Sequence, residues 1–175
     1  MNMTDTRSAK VLRGDAIIRA IKDSGVSHVV SVPDIVTSEG LLRPIARDPA
    51  LTLVRVCKED EGVSICAALS FCGKRALLLM QQTGLLDSMN ALRAIGVEYR
   101  NPVCMMVGLQ GNEPGANPRS SAKIGVRIVE PLLDVMEIPH FLLSDDSDVA
   151  QIRGGMERAY ETRFPVVFLI GRSPE

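Results

Sequence analysis

A chain of 175 residues, 46% of them apolar, has the length and composition of one globular domain with its own core, which excludes an intrinsically disordered protein. Its 20 basic and 21 acidic side chains leave a formal net charge of −1, and no Lys- or Arg-rich block argues for a nucleic-acid or membrane surface. No stretch is long and apolar enough to cross a bilayer, and His28 and His140 stand too far apart for metal-ligand spacing.

The polar start, Met1 to Ser8, lacks the apolar core of a signal peptide. It is read as a disordered N-terminus over 1–8, ahead of a single domain over 9–175 in a cytoplasmic protein. From Lys10 to Ser24, Val11, Ile17, Ile18 and Ile21 recur near helical spacing, and Gly25 closes the helix. His28 to Val32 is a short β-branched strand that stops at Pro33-Asp34. A helix over Ile35 to Arg47 ends at Asp48-Pro49, a strand follows over Leu51 to Val56, and Glu59 to Cys72 reads as a helix ended by Gly73.

Ala76 to Met80 is a continuous apolar run of the kind that buried parallel strands show. Gln81 to Gly84 is a polar break before a helix over Leu85 to Val97, and Val103 to Leu109 is another buried strand. Gln110 to Ser121, rich in Gly, Pro and Asn, is a long irregular loop, and such loops often carry function. A helix over Glu130 to Met136, a strand over His140 to Leu143, a helix over Asp145 to Thr162 and a strand over Pro165 to Ile170 complete the chain. About six strands alternating with helices predict a three-layer α/β/α fold around a mostly parallel sheet. Ligands bind such sheets at the carboxyl ends of the strands. That directs attention to Pro33-Asp34, Lys58 to Glu61, Gln81 to Gly84, and Gln110 to Ser121.

The common phosphate-binding fingerprints are missing. No G-x-G-x-x-G follows the first strand, and the nearest approach to a P-loop, Gly73-Lys74, has Arg75 for Ser or Thr and Ala68 for the first glycine. No G-x-S-x-G elbow is present. Cys57, Cys66, Cys72 and Cys104 form no C-x-x-C pair and have apolar neighbours, so they are read as buried, reduced thiols.

The acids Glu59, Asp60 and Glu61 open a helix whose following residues are small or apolar. Acids in a first turn complement the helix dipole, which explains their position without any catalysis. The apolar company of Glu61 places its carboxylate at the edge of the core. The break at Gln81-Gln82-Thr83-Gly84 is either a helix cap built on Thr83 or a polar strand end facing a ligand. Pro33-Asp34 is either a plain turn or a ligand contact.

Taken together, Ser31-Val32-Pro33-Asp34, Glu59 to Ala67, Leu79 to Leu85, and Ser88-Met89-Asn90-Ala91-Leu92 resemble the α subunit of sulfopyruvate decarboxylase, with similar segments in phosphonopyruvate decarboxylases. The likeness runs in order from Gly25 to Gly111. It implies the pyrimidine-binding domain of a thiamine-diphosphate enzyme, with Glu61 as the catalytic carboxyl that hydrogen-bonds N1′ of the aminopyrimidine while the cofactor takes up the electron pair as carbon dioxide leaves. Pro33, Asp34, Gln82, Thr83 and Gly84 are then expected beside the cofactor. Gln81 and Asn90 are expected beside the substrate, and Arg119, in the long loop, beside a distal anion. The family has Gly-Asn where this chain has Leu86-Asp87, a departure that bears on the substrate.

The resemblance also implies half an enzyme. The usual metal-binding signature, Gly-Asp-Gly followed by asparagines, is represented only by Gly14-Asp15-Ala16. No metal ligand is therefore expected here. Mg2+ and the diphosphate are expected on a separate β subunit, and the substrate is a 2-oxo acid with a distal anion, 3-sulfopyruvate first. Open beside this are a phosphonopyruvate decarboxylase subunit, a non-catalytic subunit of the same fold, and an unrelated small-molecule-binding α/β module.

Overall fold

The computed structural model describes residues 11–175, so the expectation for residues 1–8 and the start of the first helix at Lys10 lie outside the described residues. The chain alternates as the periodicity implies, but several boundaries move. The first helix, α1, is Gly14–Asp23, with Ile17, Ile18 and Ile21 buried and Asp15, Arg19 and Lys22 facing out. Strand β1, Val26–Ser31, leads into a turn at 35–37, a π-helical segment Ser38–Leu42 and the short α2, Arg43–Ile45. Strand β2 is Thr52–Arg55 and α3 is Glu59–Phe71.

Strand β3, Arg75–Gln81, passes directly into α4, Gln82–Asp87, followed by α5, Met89–Ala91, and a π-helical segment, Leu92–Glu98. The polar break read at Gln81 to Gly84 is thus the first turn of a helix. Strand β4 is Cys104–Gly108, and the long loop after it holds one 3₁₀ turn, Pro118–Ser120. Helices α6, Ile124–Arg127, and α7, Val129–Val135, replace the single later helix expected there. Strand β5 is His140–Leu143. A 3₁₀ turn, Asp146–Val149, precedes α8, Ala150–Thr162, and β6 is Val166–Ile170.

The strands form one six-stranded sheet in the order β2-β1-β3-β4-β6-β5. Every pair is parallel, so the sheet is wholly rather than mostly parallel. Side chains alternate across it with the strand period of two. Leu77, Leu79, Met106 and Phe168 pack with α1, α2 and α8 on one face, whereas Leu78, Met80, Met105 and Val107 pack with α3, the π segment and α7 on the other. Both faces being covered explains why β3, β4 and β6 read as unbroken apolar runs.

The layering sets where ligands can enter. The chain leaves β1 toward the α1–α2 face but leaves β3 and β4 toward the α3–α7 face. After β6 it returns to the first face, where the Glu175 carbonyl accepts the Gly14 N–H. Neighbouring strands therefore part at β1/β3 and again at β4/β6, opening a crevice above each at the carboxyl edge.

Candidate active site

Glu61 is the third residue of α3 and stands at that carboxyl edge, beside β1 and β3. Its position is set by the next residue. A Cβ on Gly62 would come within 2.4 Å of Leu78 Cδ1 and 3.4 Å of Val30 Cγ1, so only glycine lets the first turn of α3 lie this close to the sheet. Gly62, Val63, Cys66 and Ala67 face the sheet, while Glu61 lies with Ser64 and Ala68 on the exposed side. The expectation that Glu61 sits at the edge of the core is corrected here. Its apolar neighbours turn away from it, and the carboxylate faces out of the chain. Glu61 Oε2 accepts the Cys57 N–H at 3.2 Å, and the other oxygen has no partner among the described residues.

The remaining first-turn acids have distinct contacts. Asp60 Oδ1 accepts the Glu61 N–H at 2.9 Å. Glu59 packs across α4, where a Cβ on Gly84 would meet its Cδ at 2.3 Å. Lys58 Nζ lies 3.8 Å from Asp60 Oδ2 and 3.5 Å from Asp87 Oδ2. The charge that Asp87 adds relative to the family pattern is thus neutralised by Lys58, and Glu59 with Lys58 joins the start of α3 to α4.

Within the segment at the end of β3, Gln81, not Thr83, is the helix-capping residue, and it makes no side-chain cap bond. Thr83 is exposed, and its Oγ1 donates to Gln81 Oε1 at 2.8 Å. Gln82 is buried and spans the gap to the next strand. Its Oε1 accepts the Gln110 N–H at 2.8 Å and its Nε2 donates to the Gln110 carbonyl at 3.2 Å. That amide therefore fastens the root of the long loop to the first turn of α4. Gln81 is half-buried at the rim.

Pro33 is exposed, and Asp34 organises the turn after it. Asp34 Oδ1 accepts the N–H groups of Val36 and Thr37 at 2.7 and 2.9 Å, and Thr37 Oγ1 donates to Oδ2. This turn lies over the end of β4, because a Cβ on Gly108 would come within 2.8 Å of Val36 Cβ. Glu61, Gln81 to Gly84, Asp34 and the root of the loop at Gln110 thus share one edge of the sheet.

Asn90 and Arg119 are engaged away from this group. Asn90 Oδ1 accepts from Arg93 Nη2 at 3.1 Å. Arg119 lies 2.8 Å from Asp134 and 3.4 Å from Glu130, and the hydrogen bond it donates to Asp134 raises the arginine's pKa above its ordinary value. His140 completes that cluster at 3.7 Å from both acids. Reasoning along the sequence marked Lys58 and Glu59 only as part of the segment Lys58 to Glu61, and it did not single out the half-buried Arg172, since nothing in local spacing marks it. Gly62, directly after the candidate glutamate, was a usable signal.

The thiols also depart from expectation. Cys66 and Cys104 are buried and Cys57 and Cys72 are exposed. Burial raises both inner thiols, that of Cys104 to about 12. Among the described residues no His, Cys, Asp or Glu cluster is suited to a metal ion, and no helix is long and apolar enough to cross a membrane.

The domain is a wholly parallel α/β/α sheet with the Glu61 carboxylate exposed on the helix that follows its second strand. The fold is shared with 2-oxoglutarate:ferredoxin oxidoreductase from Magnetococcus marinus, solved with 2-oxoglutarate, coenzyme A and succinyl-CoA bound, at a TM-score of 0.68. Identity is 15%, and the likeness covers 93% of this chain but 29% of that one. No family model matches the chain. The sulfopyruvate decarboxylase subunit alpha of Methanothermobacter thermautotrophicus is 34% identical over 130 residues, covering 74% of this chain and 77% of that protein. The subunit of the same name from Methanococcus maripaludis is 29% identical over 158 residues, covering 89% and 92%. The chain belongs to the sulfopyruvate decarboxylase alpha-subunit family.

Proposed function

We propose that this chain holds the aminopyrimidine ring of thiamine diphosphate in a two-chain decarboxylase that converts 3-sulfopyruvate to sulfoacetaldehyde and carbon dioxide. The observation that carries the reading is the free oxygen of Glu61. One carboxylate oxygen is occupied by the Cys57 N–H while the other has no partner among the described residues, on an exposed side chain at the carboxyl edge where α/β folds bind ligands. A carboxyl so placed fits a ring nitrogen with which it can share a proton. When bound, the cofactor supplies the electron sink for the departing carbon dioxide.

The chain's own residues orient and protonate. Glu61 would hold a proton shared with a nitrogen of the bound ring, and the Cys57 N–H, by occupying Oε2, would leave the other oxygen to do so. Gly62 sets the depth at which Glu61 stands. Pro33 and Thr83 offer exposed surface to the ring, while Asp34, Gln82 and Gly84 serve it by shaping the backbone around it. Gln81 is assigned to the substrate side of the rim, and Asn90 and Arg119 reach the substrate only by exchanging their present partners. The outward carboxylate calls for a second surface to complete the site. We assign that surface to a β subunit carrying Mg2+ and the diphosphate, and the complex to the cytoplasm.

The test is turnover by the complex reconstituted with its partner, with sulfopyruvate and phosphonopyruvate compared as substrates. Glu61→Gln keeps the acceptor for Cys57 and loses the acid, so activity should fall by about a thousandfold while the far-ultraviolet spectrum is unchanged. Near-parental turnover would refute the role of Glu61. Tight binding of thiamine diphosphate by the isolated chain would refute the shared site.

A further inference from the structure

The crevice between β4 and β6 is separate from the one that holds Glu61. Its rim is the long loop after β4 on one side and Gly171-Arg172 on the other, and the two are tied together because Asn112 Nδ2 donates to the Gly171 carbonyl at 3.0 Å. Inside the loop lies a cavity of about 340 Å³, of small-molecule size, lined by Gly111, Asn117, Ser120 and Lys123, with Glu113 as its acid. Gly111 has φ +82°, and Lys123 crosses directly over it, so that a Cβ there would fall 2.0 Å from Nζ.

Several of the chain's arginines are already compensated. Arg13, Arg93, Arg119 and Arg153 each face a carboxylate. Lys123 forms no ion pair with any described residue. Arg172 is half-buried, its Nε is shielded from solvent, and it too has no partner among the described residues. A guanidinium nitrogen shielded from water without an acceptor is costly, and an oxyanion supplied from outside removes that cost.

We infer that this second crevice binds the distal oxyanion of the substrate, with Lys123, which lines the loop cavity, as the principal contact and the half-buried Arg172 at the rim as a supporting cation. Arg119, the cation that the sequence offered, is already compensated by Asp134 and Glu130. The two crevices lie two strand spacings apart, roughly 10 Å, which leaves room for a short 2-oxo acid beside the cofactor ring. The guanidinium fork and the ammonium suit a tetrahedral sulfonate or phosphonate. The inference rests on the decarboxylase reading above and adds the place where the substrate's tail is held.

The experiment is steady-state kinetics of the reconstituted complex with 3-sulfopyruvate, alongside inhibition by 3-sulfopropionate, which has the anion but no 2-oxo group. Lys123→Ala should raise KM and the inhibition constant about tenfold or more, with kcat changed less than about threefold, and Lys123→Arg should restore most of the loss. The half-saturating thiamine diphosphate concentration should not move. Arg172→Gln should act in the same direction. Since it alters a half-buried group and folding can suffer, Lys123 decides. An unchanged KM in Lys123→Ala would overturn the inference while leaving the decarboxylase reading intact. A shift confined to the cofactor concentration would overturn it in favour of a diphosphate contact. If the parental complex turns over neither sulfopyruvate nor phosphonopyruvate, the decarboxylase reading fails and takes this inference with it.

Discussion

Gln82 offers a direct test of whether the strand-end segment is built as described. Its buried amide makes two hydrogen bonds to the backbone of Gln110, at 2.8 and 3.2 Å, across a separation of 28 residues. Each such bond contributes about 1 kcal/mol net, so Gln82→Ala removes about 2 kcal/mol if water replaces the amide. If the Gln110 N–H is left without an acceptor, the loss rises to about 4 kcal/mol. With a urea dependence of about 2 kcal/mol per M for a domain of this size, the unfolding midpoint should drop by about 1 to 2 M. Gln82→Glu keeps the acceptor for the Gln110 N–H but sets a carboxylate against the Gln110 carbonyl. It should therefore be no milder than the alanine variant at neutral pH. The assay is urea unfolding followed by circular dichroism. A midpoint within about 0.2 M of the parent for Gln82→Ala would mean that the amide is not fastening the loop, and the account of this edge would have to be abandoned.

Further outcomes follow from the same contacts. In the native protein a thiol reagent should modify Cys57 and Cys72 promptly and reach Cys66 and Cys104 only on unfolding, because burial both shields the inner pair and raises their pKa values; four equally fast thiols would contradict that burial. The Lys22 ammonium, 2.7 Å from Asp48, holds the Asp48 carboxyl below its ordinary value, as does the Ala50 N–H. A lowered carboxyl stabilises the fold at pH values above about 3.9, the unfolded value, and that contribution fades as pH falls through the folded one. Thermal unfolding of Asp48→Asn should thus lie below the parent at pH 7 and converge with it only as pH falls from about 3.9 through the lower folded value; a gap that persists in stronger acid would assign the effect to something other than charge.

The sequence by itself determined the fold class and the order of its elements. Helices betray themselves through the spacing of Ile17, Ile18 and Ile21, and buried parallel strands through runs such as Ala76 to Met80, because these signals arise between residues close in the chain. The segments around Pro33, Glu61, Gln82 and Asn90 carried the family resemblance for the same reason. Where local signals are weak, boundaries slipped. The start of α4 at Gln82 was hidden by a polar stretch that resembles a loop, and the later helix was split at Ile128.

Tertiary structure decided what each polar side chain does, since its partners come from distant parts of the chain. Only the packing of α3 on β1 and β3 turned Glu61 outward rather than into the core edge, and only the approach of α7 compensated Arg119 with Asp134 and Glu130. The amide of Gln82 reached Gln110, Lys58 met Asp87, and Lys123 and Arg172 were left without carboxylates among the described residues. Hydrogen bonds and ion pairs act over a few ångströms in space, whereas periodicity reports only neighbours along the chain. The element pattern could therefore be read from the sequence, and the arrangement of charges at the carboxyl edge could not.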